Sequence, residues 1–195
     1  MKNPEILLLP IMMFSDYFLT VIGAIQKEKK YDEHFKTQHY ELNPIWQEQI
    51  SQKKWFNPRH IVLTVLVSAV LACLIEFGNM PASFVQGVLG CLFVIFGMII
   101  GRHLSNIMVF RYLVKKPNDI SGQVTMAHSF LLSISTYQYL VGVIPVVIIA
   151  FFTPTPYVIG GLVGAILILA VHAIWIQKHK SQMETSNKAD ASDGK

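Results

Sequence analysis

Long stretches of this chain carry almost no charge, and that restricts its fold more than any motif does. Five segments, residues 6–25, 60–79, 83–102, 124–152 and 157–177, are apolar enough to cross a bilayer, whose ~30 Å hydrocarbon layer takes about 20 residues of helix. Backbone polar groups inside lipid must be satisfied internally, and a helix does this within a single segment. The predicted fold class is therefore all-α: a polytopic membrane protein built as a bundle of five transmembrane helices. Hydrophobic residues make up 52% of the chain and charged residues only 14%, against about 25% charged in soluble domains.

The fourth segment exceeds the required length, which predicts a tilt, a kink or a start in the interface. Pro145 is the kink candidate, because its ring displaces the carbonyl of Val141. The first segment is read as a retained span rather than a secretory signal. It has no basic leader beyond Lys2, carries Asp16 among apolar residues, and is followed by Lys27, Lys29 and Lys30. Cys73 and Cys91 fall inside spans two and three and are expected to behave as small hydrophobes.

Basic residues fix an expected orientation. Of 16 Lys and Arg, only Lys2 precedes span one; the other 15 fall in the connections after spans one and three, at their membrane ends, or in the C-terminal tail. The connections "MPA" and "TPTP" hold none. The positive-inside rule then places the N-terminus outside and the C-terminus in the cytoplasm, with the cell membrane as the expected location.

Residues 27–57 are more than a linker. Tyr31, Phe35, Gln38 and Leu42 recur at helical spacing, which predicts that span one continues as a helix beyond the membrane. Asn43-Pro44 reads as a helix start. "IWQEQISQKKWF" combines aromatics with Lys, which predicts an amphipathic helix on the cytoplasmic side. The tail, residues 181–195, has almost no apolar content and is expected to be disordered.

Gly97-x3-Gly101 and Gly160-x3-Gly164 let helix backbones approach closely. Packing within the chain accounts for such faces, and a homo-oligomer or another membrane protein is the alternative partner. The lipid bilayer itself is the first partner. Nucleic acid is not expected, because the formal charge is only +4 and no basic run is interleaved with aromatics.

No catalytic signature marks the chain. Gly-x-Ser-x-Gly, His-Glu-x-x-His, a phosphate-binding Gly-rich loop, Cys-x-x-Cys and the Gly-x-Gly-Asp of intramembrane proteases are all missing. His34 and His39, five apart, lie on different helix faces, so no metal site is expected, and nothing names a cofactor. The candidates are polar residues within the spans. Asp16 lies ten residues into span one, roughly 15 Å deep. A carboxylate there is costly, so Asp16 should be neutral or paired and should face the bundle. Thr20 shares its face, and Ser133, Ser135, Thr136 and Gln138 of span four reach comparable depth. They would form either an interhelical hydrogen bond or a substrate or ion pathway. Glu76, near the outer end of span two, reads as a hydrated helix end or as part of that pathway.

"GRHLSN" supplies the second group. Arg102 lies 19 residues after Ser83, about 28 Å along the axis and so at the inner boundary. His103 follows it, Asn106 is one turn further, and His128 and His172 reach the same level from spans four and five. Interfacial anchoring explains such residues, since Arg snorkels to headgroups. A cytoplasm-facing polar pocket is the sharper alternative. Three functions remain open: a small transporter or ion-handling protein, a membrane enzyme acting on a lipid headgroup, or a non-catalytic subunit or assembly factor.

Overall fold

The computed structural model describes residues 3–36 and 46–193, with side chains described as far as Lys178. A short 3-10 turn (Pro4–Leu7) leads into α1 (Leu8–Gln26). A π-helical turn (Lys27–Tyr31) and the one-turn α2 (Asp32–His34) extend it. Then come β1 (Phe35–Lys36), α3 (Gln47–Ser51), α4 (Pro58–Phe77), α5 (Ala82–Lys115), β2 (Val124–Thr125), α6 (His128–Phe152) and α7 (Pro156–Asp193). Among the described residues, five helices are long and apolar enough to span a membrane. The protein is an all-α polytopic bundle.

Local chemistry sets where the helices begin. Asn57 caps α4, its Oδ1 accepting from the His60 backbone N–H at 3.3 Å, and Pro58 takes a first-turn position where no N–H is needed. Thr155 Oγ1 accepts from the Val158 backbone N–H at 3.4 Å, and Pro156 opens α7. α6 runs through Pro145 as one helix. It starts at His128, four residues later than expected, because Val124–Thr125 instead pairs in parallel with Phe35–Lys36.

The largest departure is in α5. Its 34 residues reach about 51 Å, well beyond the bilayer thickness, whereas the sequence placed the end of the span at Arg102. Ile107, Phe110 and Leu113 are buried on this extension, and Tyr31 packs edge-on against Phe110 at 4.7 Å. The prolongations of α1 and α5 thus support each other outside the apolar layer. Span one does continue as a helix, but only to His34; Gln38, Leu42, Asn43 and Pro44 lie outside the described residues. The expected amphipathic segment contributes the short α3, whose Ile50 is 2% exposed and packs with Tyr17, Val21 and Ala24 of α1. Trp55 and Phe56 are exposed. The backbone of α7 is helical to Asp193, through much of the tail whose composition suggests disorder.

α5 and α7 make the most intimate contact. A Cβ at Gly160 would overlap the Gly87 carbonyl, one at Gly90 the backbone of Tyr157, and one at Gly164 the Cys91 carbonyl. These glycines act within the chain. By contrast, a Cβ at Gly101 meets nothing within 4 Å. α4 stands at the edge of the bundle, with Val62, Leu66 and Val70 exposed. At the end remote from the basic residues, Ile6, Ile75, Val85 and Leu89 form one cluster, and Tyr157 donates its hydroxyl proton to Glu5.

Candidate functional site

α1, α5, α6 and α7 each bring one turn of polar residues to a common level near the basic end of the bundle. His103 on α5 is 2% exposed, and its Nε2 lies 3.2 Å from Asp16 Oδ1 and 3.0 Å from Thr20 Oγ1, both on α1. Thr20 already donates its only hydroxyl proton to the Asp16 carbonyl at 2.8 Å. Its oxygen must therefore accept from His103, which places a proton on Nε2, shared with the Asp16 carboxylate. A nitrogen of Arg102 also approaches Nε2, at 3.5 Å. That contact becomes a hydrogen bond only when the His103 proton sits on Nδ1. One imidazole nitrogen thus stands between a carboxylate that accepts its N–H and a guanidinium that can donate a hydrogen bond to it once the proton has moved to Nδ1.

A second chain of hydrogen bonds runs from the other side of Arg102. Its Nη1 donates to Ser135 Oγ on α6 at 2.9 Å. Ser135 Oγ lies 3.3 Å from His172 Nε2 on α7, and His172 Nδ1 lies 3.0 Å from the Ile168 carbonyl. A carbonyl only accepts, so neutral His172 carries its proton on Nδ1 and accepts from Ser135 through Nε2. The donor direction is then continuous from Arg102 through Ser135 to His172 and the backbone. The Arg102 guanidinium stands 5.5 Å from the Tyr139 ring centroid, and Tyr139 meets His172 edge-on at 4.8 Å. Cation–π attraction and the Ser135 bond fix the plane of the guanidinium.

These groups line a cavity of about 320 Å³. Asp16, Thr20, Arg102, His103 and His172 supply its polar wall, with Ile95, Ile99 and Leu167 among its apolar lining. Four aromatic residues, Tyr17, Trp46, Tyr139 and Trp175, complete it. His60 closes one side, stacked on Tyr17 at 4.5 Å and edge-on to Trp46 at 5.6 Å. Tyr17 in turn donates to the Lys54 carbonyl at 2.6 Å, tying α1 to the segment before α4. Among the described residues, no group of three or more His, Cys, Asp or Glu could hold a metal ion.

The two groups of candidates drawn from the sequence, one at mid-depth and one at the inner boundary, therefore meet in one place. Ile6 packs with Val85 and Leu89 rather than beside Ser83, so span one sits about one turn deeper than counting from each span's first residue implies. That shift is part of the larger axial offset at which Asp16 and Thr20 meet His103. Asp16, Thr20, Arg102, His103 and His172 converge; Asn106 and His128 do not line the cavity. Ser133 and Thr136 turn away, donating to the Ser129 and Leu132 carbonyls of their own helix at 2.9 and 2.8 Å. Gln138 lies in a separate groove between α5 and α6. Glu76 belongs to the opposite end, where the neighbouring Ile75 packs with Ile6. Tyr17, Tyr139 and Trp175 are the aromatic lining residues that the sequence did not single out. Their signal was periodic: Tyr139 follows Ser135 by four and Trp175 follows His172 by three, which are same-face helical spacings.

Comparison with protein families, with curated proteins and with solved structures found no match.

Proposed function

We propose that this protein is a small transporter or ion-handling protein of the cell membrane, with its polar site reaching the cytoplasmic side and its N-terminus outside. The observation that carries the reading is the Asp16–His103 contact at 3.2 Å, inside a cavity that also holds Arg102 and His172. Ionisable groups within membrane spans mark ion and substrate pathways by default, because their insertion cost must be offset by a use. Here the proton on His103 has two acceptors on α1 and a cation at its back. Arrival of an anion at Arg102 would draw the guanidinium away from His103 and change how firmly Asp16 holds the proton. That is coupling between solute and proton through one imidazole. The concentration of Lys and Arg at this end of the bundle supports the cytoplasmic orientation.

The test is proton flux in vesicles containing the purified full-length protein and a pH-reporting dye, with inorganic phosphate as the driving solute and protein-free vesicles as the blank. An anion-dependent proton movement abolished by Asp16→Asn supports the reading. Movement that is absent, or unchanged in the variant, counts against it.

A second reading has one observation of its own. A carboxylate beside His103 orients an imidazole as a general base, and Arg102 suits a phosphate, so the same cavity supports hydrolysis of a lipid headgroup. Product release from phospholipid by the wild type, lost in His103→Gln, would favour that reading over transport.

A further inference from the structure

Arg102 lies between two cavities. Besides the interior one, a groove of about 400 Å³ runs between α5 and α6, and Arg102 and Tyr139 line both. The groove's other walls are Met98, Gly101 and Ser105 of α5 with Gln138, Val141 and Gly142 of α6. Two of these are glycines, and no Cβ from Gly101 enters the space. Gly101, Ser105, Gln138 and Val141 are exposed, so the groove opens on the flank of the bundle rather than at its end. Gln138 and Ser105 put polar groups beside Arg102. Further along α6 the same face carries Val141, Pro145 and Ile149, all exposed and all apolar, at spacings of four residues. They run away from the basic end, into the apolar layer. Arg102 itself comes 19 residues after Ser83, about 28 Å along the axis, the level of lipid headgroups.

We propose that this groove is a lateral portal for an anionic lipid, whose carboxylate or phosphate headgroup seats on Arg102 while its acyl chain lies along Val141, Pro145 and Ile149. Arg102, whose guanidinium plane Ser135 and Tyr139 fix, lines the groove, and guanidinium N–H donors suit carboxylate and phosphate oxygens. Asp16 faces the interior cavity with its carboxylate at His103, whereas no carboxylate is among the residues that line the groove. A soluble anion needs no apolar track and no opening toward lipid. A lipid needs both. The inference rests on the reading of the Arg102 cavity as a ligand site, and not on proton movement.

The test uses full-length protein in phosphatidylcholine vesicles containing spin-labelled phosphatidylglycerol or spin-labelled phosphatidylcholine, with the protein-bound fraction read by electron paramagnetic resonance. The wild type should favour phosphatidylglycerol by about fivefold, the factor one basic side chain gives at a membrane surface. Arg102→Gln should bring the ratio to near one. Gly101→Leu should do the same by filling the groove, and it should fold, because its Cβ meets open space. Gly97→Leu, one turn away and outside the groove, should keep the preference and thereby separates blockage from any general effect of a larger residue on α5. Equal binding of the two lipids by the wild type overturns the portal. So does a preference that survives Gly101→Leu. If that same protein still moves protons with inorganic phosphate, the transport reading stands while the lipid inference falls.

Discussion

His103 Nε2 and Asp16 Oδ1 lie 3.2 Å apart, joining the first and third membrane helices through an imidazole that is 2% exposed. The Asp16 side chain keeps 25% of its surface accessible and lines the cavity. The pair is therefore enclosed on the helix side and reachable from the cavity. Removing one member leaves the other with an unmatched polar group in an apolar bundle. We expect Asp16→Ala and His103→Ala each to destabilise the protein, with a coupling energy of about 0.5–3 kcal/mol in a double-mutant cycle. Thermal unfolding in detergent measures it, and strictly additive losses would mean the two do not interact.

Arg102→Lys keeps the charge but loses the fork that reaches Ser135 and the planar face over Tyr139. We expect membrane insertion to be preserved and transport activity to fall about tenfold or more, the worth of one lost charged hydrogen bond. An anchoring arginine would accept the exchange, so wild-type activity in Arg102→Lys would return Arg102 to the interface.

His128 offers the contrast. It opens α6 but does not line the cavity, so His128→Ala should keep activity within about twofold of the wild type. His172→Ala removes the acceptor of Ser135 and an edge-on partner of Tyr139, and should not be tolerated in the same way. Equal effects of the two substitutions in one flux assay would contradict the geometry.

The helix-packing glycines should also divide. Gly160→Leu forces a side chain into the Gly87 backbone and should cost about 3 kcal/mol or more, whereas Gly101→Leu should be near neutral in stability. Melting temperatures of the two purified variants check this directly.

Reporter fusions address orientation. We expect a fusion after Lys53 or after Lys195 to read cytoplasmic and one at Pro154 to read exterior, following the distribution of Lys and Arg. Cytoplasmic activity at Pro154 would reverse the order of the spans.

The five spans were legible because lipid imposes a length and an apolar composition, and both can be counted. Asp16, Arg102, His103 and His172 were legible as candidates because each is polar where polarity is costly. Their meeting was not legible. It depends on the axial offset between α1 and α5, seen where Ile6 packs with Val85 and Leu89, and on helix rotation, which one sequence does not encode in any countable way. Rotation also sorted the hydroxyls of α6: Ser135 turns inward to Arg102, while Ser133 and Thr136 bond back to their own helix. The length of α5 was missed because its buried extension packs on the prolongation of α1 rather than on lipid, so the hydropathy that marks a span does not mark its end.

Proton movement in Asp16→Asn tests the account most directly. In vesicles carrying equal amounts of folded wild-type and variant protein, a pH-reporting dye follows acidification driven by inorganic phosphate, with protein-free vesicles as the blank. We expect Asp16→Asn to lose at least about tenfold in rate, because the amide cannot take the proton that His103 shares with the carboxylate. An Asp16→Asn protein that moves protons at the wild-type rate would contradict the account, and the Asp16–His103 contact would then be a structural bond between two helices.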